Sequence, residues 1–149
     1  MIFHTKISGR VRVFVYGTLK PGEVNYQKYC AGLVVDTQRC TTLGQLFTLP
    51  MGYPAMTIGK ELVHGYLVSF AEPWILDVLD ELEDYQPTRQ MSGNLYNRQE
   101  VEVYNLQGLS LGWAWGYLMN PERIKKLGGL LLPDGWWSGC DLSLQDSWD

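Results

Sequence analysis

The segment Leu111-Gly112-Trp113-Ala114-Trp115-Gly116-Tyr117-Leu118-Met119 constrains the fold more than any other stretch of the chain. Leu111, Trp113, Trp115, Tyr117 and Met119 alternate with Gly112, Ala114, Gly116 and Leu118, the two-residue period of a β-strand. One face is bulky and the other mostly small, so another part of the chain must pack closely on the small side. Val11, Val13 and Val15 alternate in the same way with Arg12, Phe14 and Tyr16. So do the residues of Leu62 to Phe70, with Leu62, His64, Tyr66, Val68 and Phe70 on one side.

Further extended structure is expected over Val34 to Thr48, with Gly44 at a bend or bulge, and over Gln99 to Tyr104. Pro50 to Pro54 reads as loop. The clearest helix is Trp74 to Asp84, with Pro73 at its first position and Gln86-Pro87 ending it. Asn25 to Leu33 reads as a short helix, Pro121 to Leu127 as a last helical turn or two, and Gly128 to Gly139 as loop, followed by a polar tail. Strands outnumber helices without regular βαβ alternation. The expected class is α+β, a small, mostly antiparallel β-barrel or curved sheet with flanking helices. The length, 149 residues, suits one domain over 1–149.

Charge narrows the partners. Twelve basic against sixteen acidic residues leave a net charge of −4, with no broad positive field to attract nucleic acid or anionic membrane. The apolar run after the polar N-terminus, Val11 to Tyr16, is too short for a signal or a membrane span. A cytoplasmic protein is expected. Cys30, Cys40 and Cys140 are odd in number and lack CxxC spacing, which fits reduced thiols. His4 and His64 are too few and too far apart for a His-rich metal site, and no nucleotide-binding glycine motif is present. Neither a metal nor a cofactor is expected.

The helix around Asp77 to Asp84 carries five carboxylates. On a wheel of about 100° per residue that starts at Ile75, the apolar arc runs from about 300° through zero to about 100°. Asp80, Asp84, Asp77 and Glu81 fall outside that arc. Glu83 falls at about 80°, between Leu79 and Leu76. A carboxylate turned toward the core loses hydration and its pKa rises into the range of a general base. The competing reading is an ordinary core-edge Glu paired with Arg89 or Arg98, or reaching out to water.

Tyr16-Gly17-Thr18-Leu19 closes the first strand on a glycine, which permits unusual φ and a close ligand approach. Successive N–H groups there can hold an anion, although many strand-to-turn junctions look alike. Lys20 is a further candidate for holding a carboxylate. Tyr96 and Tyr117 are pocket or core aromatics, and Trp136-Trp137 is a lid, a contact surface or a packed tail.

In order along the chain stand Val13-Phe14-Val15-Tyr16-Gly17-Thr18-Leu19-Lys20-Pro21-Gly22 with Asn25, Tyr53-Pro54-Ala55, His64-Gly65-Tyr66-Leu67-Val68, Leu79-Asp80-Glu81-Leu82-Glu83 and Tyr96-Asn97-Arg98. Over residues 11 to 119 this series resembles the gamma-glutamylcyclotransferase superfamily, in its gamma-glutamylamine cyclotransferase and AIG2-like branch. The resemblance implies a small β-barrel with flanking helices, Tyr16 to Leu19 as the substrate-binding turn, and Glu83 as the catalytic carboxylate. Its chemistry suits a chain without an obvious nucleophile or metal site, because the α-amine of a gamma-glutamyl compound can attack its own γ-carbonyl. The implied products are 5-oxoproline and a free amine. Asp84, where relatives often carry a small residue, and the stretch from Asp84 to Leu95 depart from the pattern and bear on substrate identity. A non-catalytic module that binds a small carboxylate on the same fold is the alternative.

Overall fold

The structure, a computed structural model, describes residues 10–139. His4, Cys140 and the polar tail lie outside the described residues. The elements are β1 (Val11–Val15), α1 (Val24–Tyr29), β2 (Val34–Thr48), β3 (Pro54–Phe70), α2 (Ile75–Leu82), a 3-10 turn (Met91–Gly93), β4 (Asn97–Tyr104), β5 (Ser110–Leu118), α3 (Pro121–Lys126) and β6 (Leu130–Leu131). The class is α+β, with a mixed six-stranded sheet and three helices among the described residues.

The strand order is β3-β1-β5-β4-β2-β6, and β3 pairs with β2 as well. Most pairings are antiparallel, but β1 runs parallel to β5 at Val13 and Trp115, so the sheet is mixed. Local sequence patterns carry no signal for a pairing between strands about a hundred residues apart.

The longest feature is the β2–β3 hairpin, in register from Thr48 and Pro54 to Val34 and Phe70. Strand β3 therefore begins at Pro54 and not at Leu62, because β2 pairs with Pro54 to Thr57 as well as with Glu61 onward, across the unpaired Ile58 to Lys60. The register slips between Gly44 and Gln45. A Cβ on Gly44 would meet the Thr57 carbonyl oxygen at 2.8 Å, which makes the expected bend a glycine requirement.

Both faces of β1 are covered, and this explains why apolar residues stand on both of them, Arg12 apart. Val11, Val13 and Val15 join Val68, Phe70, Ile75, Leu79 and Met119 in one core cluster. Phe14 and Tyr16 join Val63, Leu67, Val103, Ala114 and Trp137 in a second. The small side of β5 is indeed closely packed, since Ala114 and Leu118 enter the second cluster. The bulky side is not uniform, however. Tyr117 and Met119 are buried in the first cluster, whereas Trp113 is 57% exposed. The alternation breaks at Gly112, where φ is +92°, and the β4–β5 register slips beside it.

Helix α2 is amphipathic, with Ile75 and Leu79 buried against the sheet. It stops at Leu82, ahead of Gln86-Pro87, because Asp84 takes a left-handed conformation at φ 55°. Helix α1 is shorter than expected, and the segment read as loop after α3 contains the two-residue strand β6. Among the described residues no helix is long and apolar enough to cross a membrane.

Candidate active site

Where β1 ends, the chain makes a tight turn. The Lys20 N–H closes it on the Gly17 carbonyl at 3.0 Å. Asn25 holds Thr18 twice, through its own N–H to the Thr18 carbonyl at 2.9 Å and through Nδ2 to Thr18 Oγ1 at 2.9 Å. The N–H groups of Gly17, Thr18 and Leu19 donate to no partner among the described residues. Gly17 is needed for a reason other than the one expected. Its φ is not among the left-handed ones, but a Cβ there would stand 2.7 Å from Pro54 Cγ. The absence of a side chain, not an unusual φ, brings the turn against the Tyr53-Pro54 corner.

The turn borders a cavity of about 280 Å³. Residues 14 to 19 of β1 and its turn form one wall. Leu82 and Glu83 from the end of α2, Tyr53 and Pro54, Leu95 and Tyr96, and Tyr117 from β5 complete it, with Asn25 beside Thr18. Seven of the residues singled out from the sequence, Tyr16, Gly17, Thr18, Leu19, Glu83, Tyr96 and Tyr117, line this one cavity. Glu83 is the single charged residue among the described ones that line it.

Glu83 sits at the C-cap of α2, its N–H still donating to the Leu79 carbonyl at 2.9 Å. Among the described residues its carboxylate has neither a hydrogen bond nor an ion pair, because Arg89 pairs with Asp84 and Arg98 with Asp80. Burial in the apolar wall pushes the carboxyl up to about 7.

The three tyrosines turn their hydroxyls into the scaffold. The Tyr16 hydroxyl donates to the Tyr117 carbonyl at 2.7 Å and accepts from the Met56 N–H at 3.2 Å. The Tyr96 hydroxyl donates to the Pro54 carbonyl at 2.7 Å, and that of Tyr117 to Asp80 Oδ1 at 2.7 Å. Burial, above all, raises all three far beyond the usual phenol range, with the charge of Glu83 adding to each. They are neutral walls whose donors are already committed.

Asp80 corrects the wheel, which put it outside the apolar arc. It is buried, with Arg98 Nη1 at 3.1 Å from Oδ1 and 2.9 Å from Oδ2, and the Tyr117 hydroxyl donates to Oδ1. A hydropathy wheel scores an acid as solvent-seeking and cannot foresee a buried partner that satisfies it. The only sequence signal was Arg98 itself, an arginine in a strand about to cross the sheet.

Lys20 points away from the cavity. It is 1% exposed, donates to the Trp137 carbonyl, and holds its Nζ 3.4 Å from the centre of the Trp136 ring. The Trp136-Trp137 segment is therefore packed, and Trp137 is buried in the second cluster. Cys30 and Cys40 are free and buried. Among the described residues no group of three or more His, Cys, Asp or Glu side chains gathers as a metal site would require.

This arrangement, an acid and a strand-end turn lining one small cavity, lies within a segment matched by a known family. The family Gamma-glutamyl cyclotransferase, AIG2-like, matches residues 13–139, and the chain belongs to it. It is an enzyme of the gamma-glutamylcyclotransferase type. A gamma-L-glutamyl-butirosin B gamma-glutamyl cyclotransferase of Niallia circulans is 33% identical over 118 residues, 77% of this chain and 74% of that one. A putative gamma-glutamylcyclotransferase of Halalkalibacterium halodurans is 32% identical over 108 residues, 71% of this chain and 88% of that one. The crystal structure of an AIG2-like protein from Mus musculus superimposes with a TM-score of 0.65 at 22% identity, covering 87% of this chain and 88% of that one. The last likeness concerns the fold.

Proposed function

We propose that the chain converts a gamma-glutamyl amine or peptide into 5-oxoproline and a free amine, with Glu83 as general base and then general acid. What carries this reading is Glu83, an acid held near neutrality and unpaired among the described residues, lining the same cavity as a turn with spare N–H donors. The substrate α-carboxylate finds no cationic side chain on the cavity wall among the described residues, so the N–H groups of Gly17 to Leu19 are its natural partners. The Glu83 carboxylate takes one proton from the substrate ammonium. The freed amine attacks the γ-carbonyl carbon, and the N–H groups hold either the α-carboxylate or the new oxyanion. Protonated Glu83 then delivers its proton to the departing nitrogen as that C–N bond breaks. The lactam nitrogen passes its remaining extra proton through Glu83 to the released amine. Holding amine and carbonyl about 3–3.5 Å apart supplies much of the acceleration. Tyr96 and Tyr117 shape the wall around this folded substrate.

We also read the extra β2–β3 pairing as closing the sheet into a small barrel, and the chain as one working domain. Its buried free thiols fit a reducing compartment. A panel of gamma-glutamyl amines and dipeptides tests the reaction by release of 5-oxoproline. Glu83→Gln is expected to lower kcat by about 10²–10⁴-fold without lowering Tm. Full turnover by this variant would remove Glu83 from the mechanism. Binding of a glutamate-like carboxylate with no product from any member of the panel would make the chain a binding module on this fold.

A further inference from the structure

Helix α2 offers two acids to the sheet, Asp80 and Glu83, three residues apart and so neighbours on the helix surface. The cation that reaches this side from β4 is Arg98. Its guanidinium is confined, stacked 4.7 Å from the centre of the Trp115 ring and 5.3 Å from that of Tyr85. Its Nε is buried without a hydrogen-bond partner. A desolvated cation held in this way goes to the nearest anion. In the structure that anion is Asp80, whose two oxygens both take Nη1 while the Tyr117 hydroxyl fixes the first of them.

The other groups around Glu83 supply no competing charge. From β1 it faces Tyr16, from the loop before β4 Tyr96, from β5 Tyr117 and from the β2–β3 connection Tyr53. Of these, Tyr16, Tyr96 and Tyr117 are held firmly protonated. On its own element Asp77 and Glu81 are exposed or nearly so, and Asp84 pairs with Arg89. Lys20 is engaged with Trp136 and Trp137 on the far side of the turn. Among the described residues Arg98 is thus paired with Asp80, and Glu83 has no ion pair.

We propose that Asp80 is a positioning residue for the acid–base step, keeping the Arg98 guanidinium off Glu83 so that Glu83 stays unpaired and able to exchange protons. Its catalytic part rests on the reading of Glu83 given above. Without the Asp80 charge, Arg98 turns to the next acid on the helix. An opposite charge within about 4–6 Å lowers a carboxyl pKa by about one to three units. Glu83 then becomes an unreactive ion-pair partner.

The test follows the Glu83 carboxyl resonance by ¹³C NMR against pH, assigned by its loss in Glu83→Gln, alongside the kcat/KM profile for 5-oxoproline release. Asp80→Asn is nearly isosteric and keeps an oxygen for the Tyr117 hydroxyl, and Asp80→Ser is the second variant. In each, the Glu83 midpoint and the acidic limb of kcat/KM are expected to fall together by about one pH unit or more, and kcat to fall with them. Adding Arg98→Gln to Asp80→Asn is expected to bring the midpoint back to that of the parent protein. Asp80→Glu, which keeps the pair, is expected to leave it unmoved. A Glu83 midpoint that stays in place in folded Asp80→Asn or Asp80→Ser overturns the proposal, as does a drop that Arg98→Gln does not reverse. Absence of 5-oxoproline from the parent protein, with the NMR shifts as expected, would instead overturn the cyclotransferase reading and leave the division of Arg98 standing.

Discussion

On the mechanism proposed above, Glu83 ties activity and stability to the same proton. In the folded chain its carboxyl holds a proton up to about pH 7, against about 4.5 for an ordinary glutamate. Between those values the folded state binds more protons than the unfolded one, so stability falls as pH rises, and the contribution is gone above about pH 7. Glu83→Gln is therefore expected to be more stable than the parent protein at pH 8, by about 1–3 kcal/mol, and to lose that advantage near pH 4. Urea melts at the two pH values measure this, and an equal difference at both would contradict it. Catalysis has the opposite slope, because the base must be ionised, so kcat/KM is expected to rise through a midpoint near 7. Gly17 is the second residue with a sharp expectation. An added methyl would lie 2.7 Å from Pro54 Cγ, and Pro54 is itself tied to Tyr96 through its carbonyl. Gly17→Ala is expected to cost about 1–3 kcal/mol and to raise KM by displacing the turn. Unchanged melts together with unchanged kinetics would show that the corner yields freely.

At the scale of elements, α2 ends on a conformation that only glycine adopts cheaply. Asp84 stands at φ 55° in the position where helices commonly place glycine. Its ion pair with Arg89 is largely exposed and worth about 0–1 kcal/mol. Asp84→Gly is accordingly expected to leave stability level or to raise it by up to about 1 kcal/mol. A β-branched Asp84→Val is expected to lower it by about 1–2 kcal/mol. Thermal melts that rank the two variants the other way would refute this account of the helix end. Much of this level was legible in the sequence, since alternation identifies β1, β5 and the later half of β3, and the wheel separates Glu83 from its neighbours. What stayed hidden depends on contacts between distant parts of the chain. The strand from Pro54 to Leu62 exists because β2 lies beside it. Asp80 is buried because Arg98 and Tyr117 arrive from β4 and β5, and Lys20 is buried because Trp136 and Trp137 close over it. No local pattern encodes a partner at that distance.

For the molecule as a whole, residues 132–139 after β6 pack onto the core. Trp137 is 3% exposed among Phe14, Val63 and Leu67. The Gly135 carbonyl accepts the His64 N–H at 2.8 Å, and the Glu23 carboxylate accepts from Ser138 Oγ and the Gly139 N–H, both at 3.3 Å. Trp137→Ala is expected to cost about 3–5 kcal/mol. Because Lys20 follows Leu19 directly, the variant is also expected to weaken substrate binding by loosening the turn. A urea midpoint equal to that of the parent protein would contradict the first expectation, and an unchanged KM the second.

The bond from Lys20 to the Trp137 carbonyl has a consequence for the order of events on the ribosome. The turn at Gly17 to Leu19 is translated more than a hundred residues before its anchor at Trp137, and about a hundred before the β5 strand beside which β1 must lie. A chain synthesised at about 5–20 residues per second therefore carries an unfinished turn for several seconds or more before Trp137 follows it. If the turn binds substrate as proposed above, the nascent polypeptide is blind to it until Trp137 has cleared the exit tunnel.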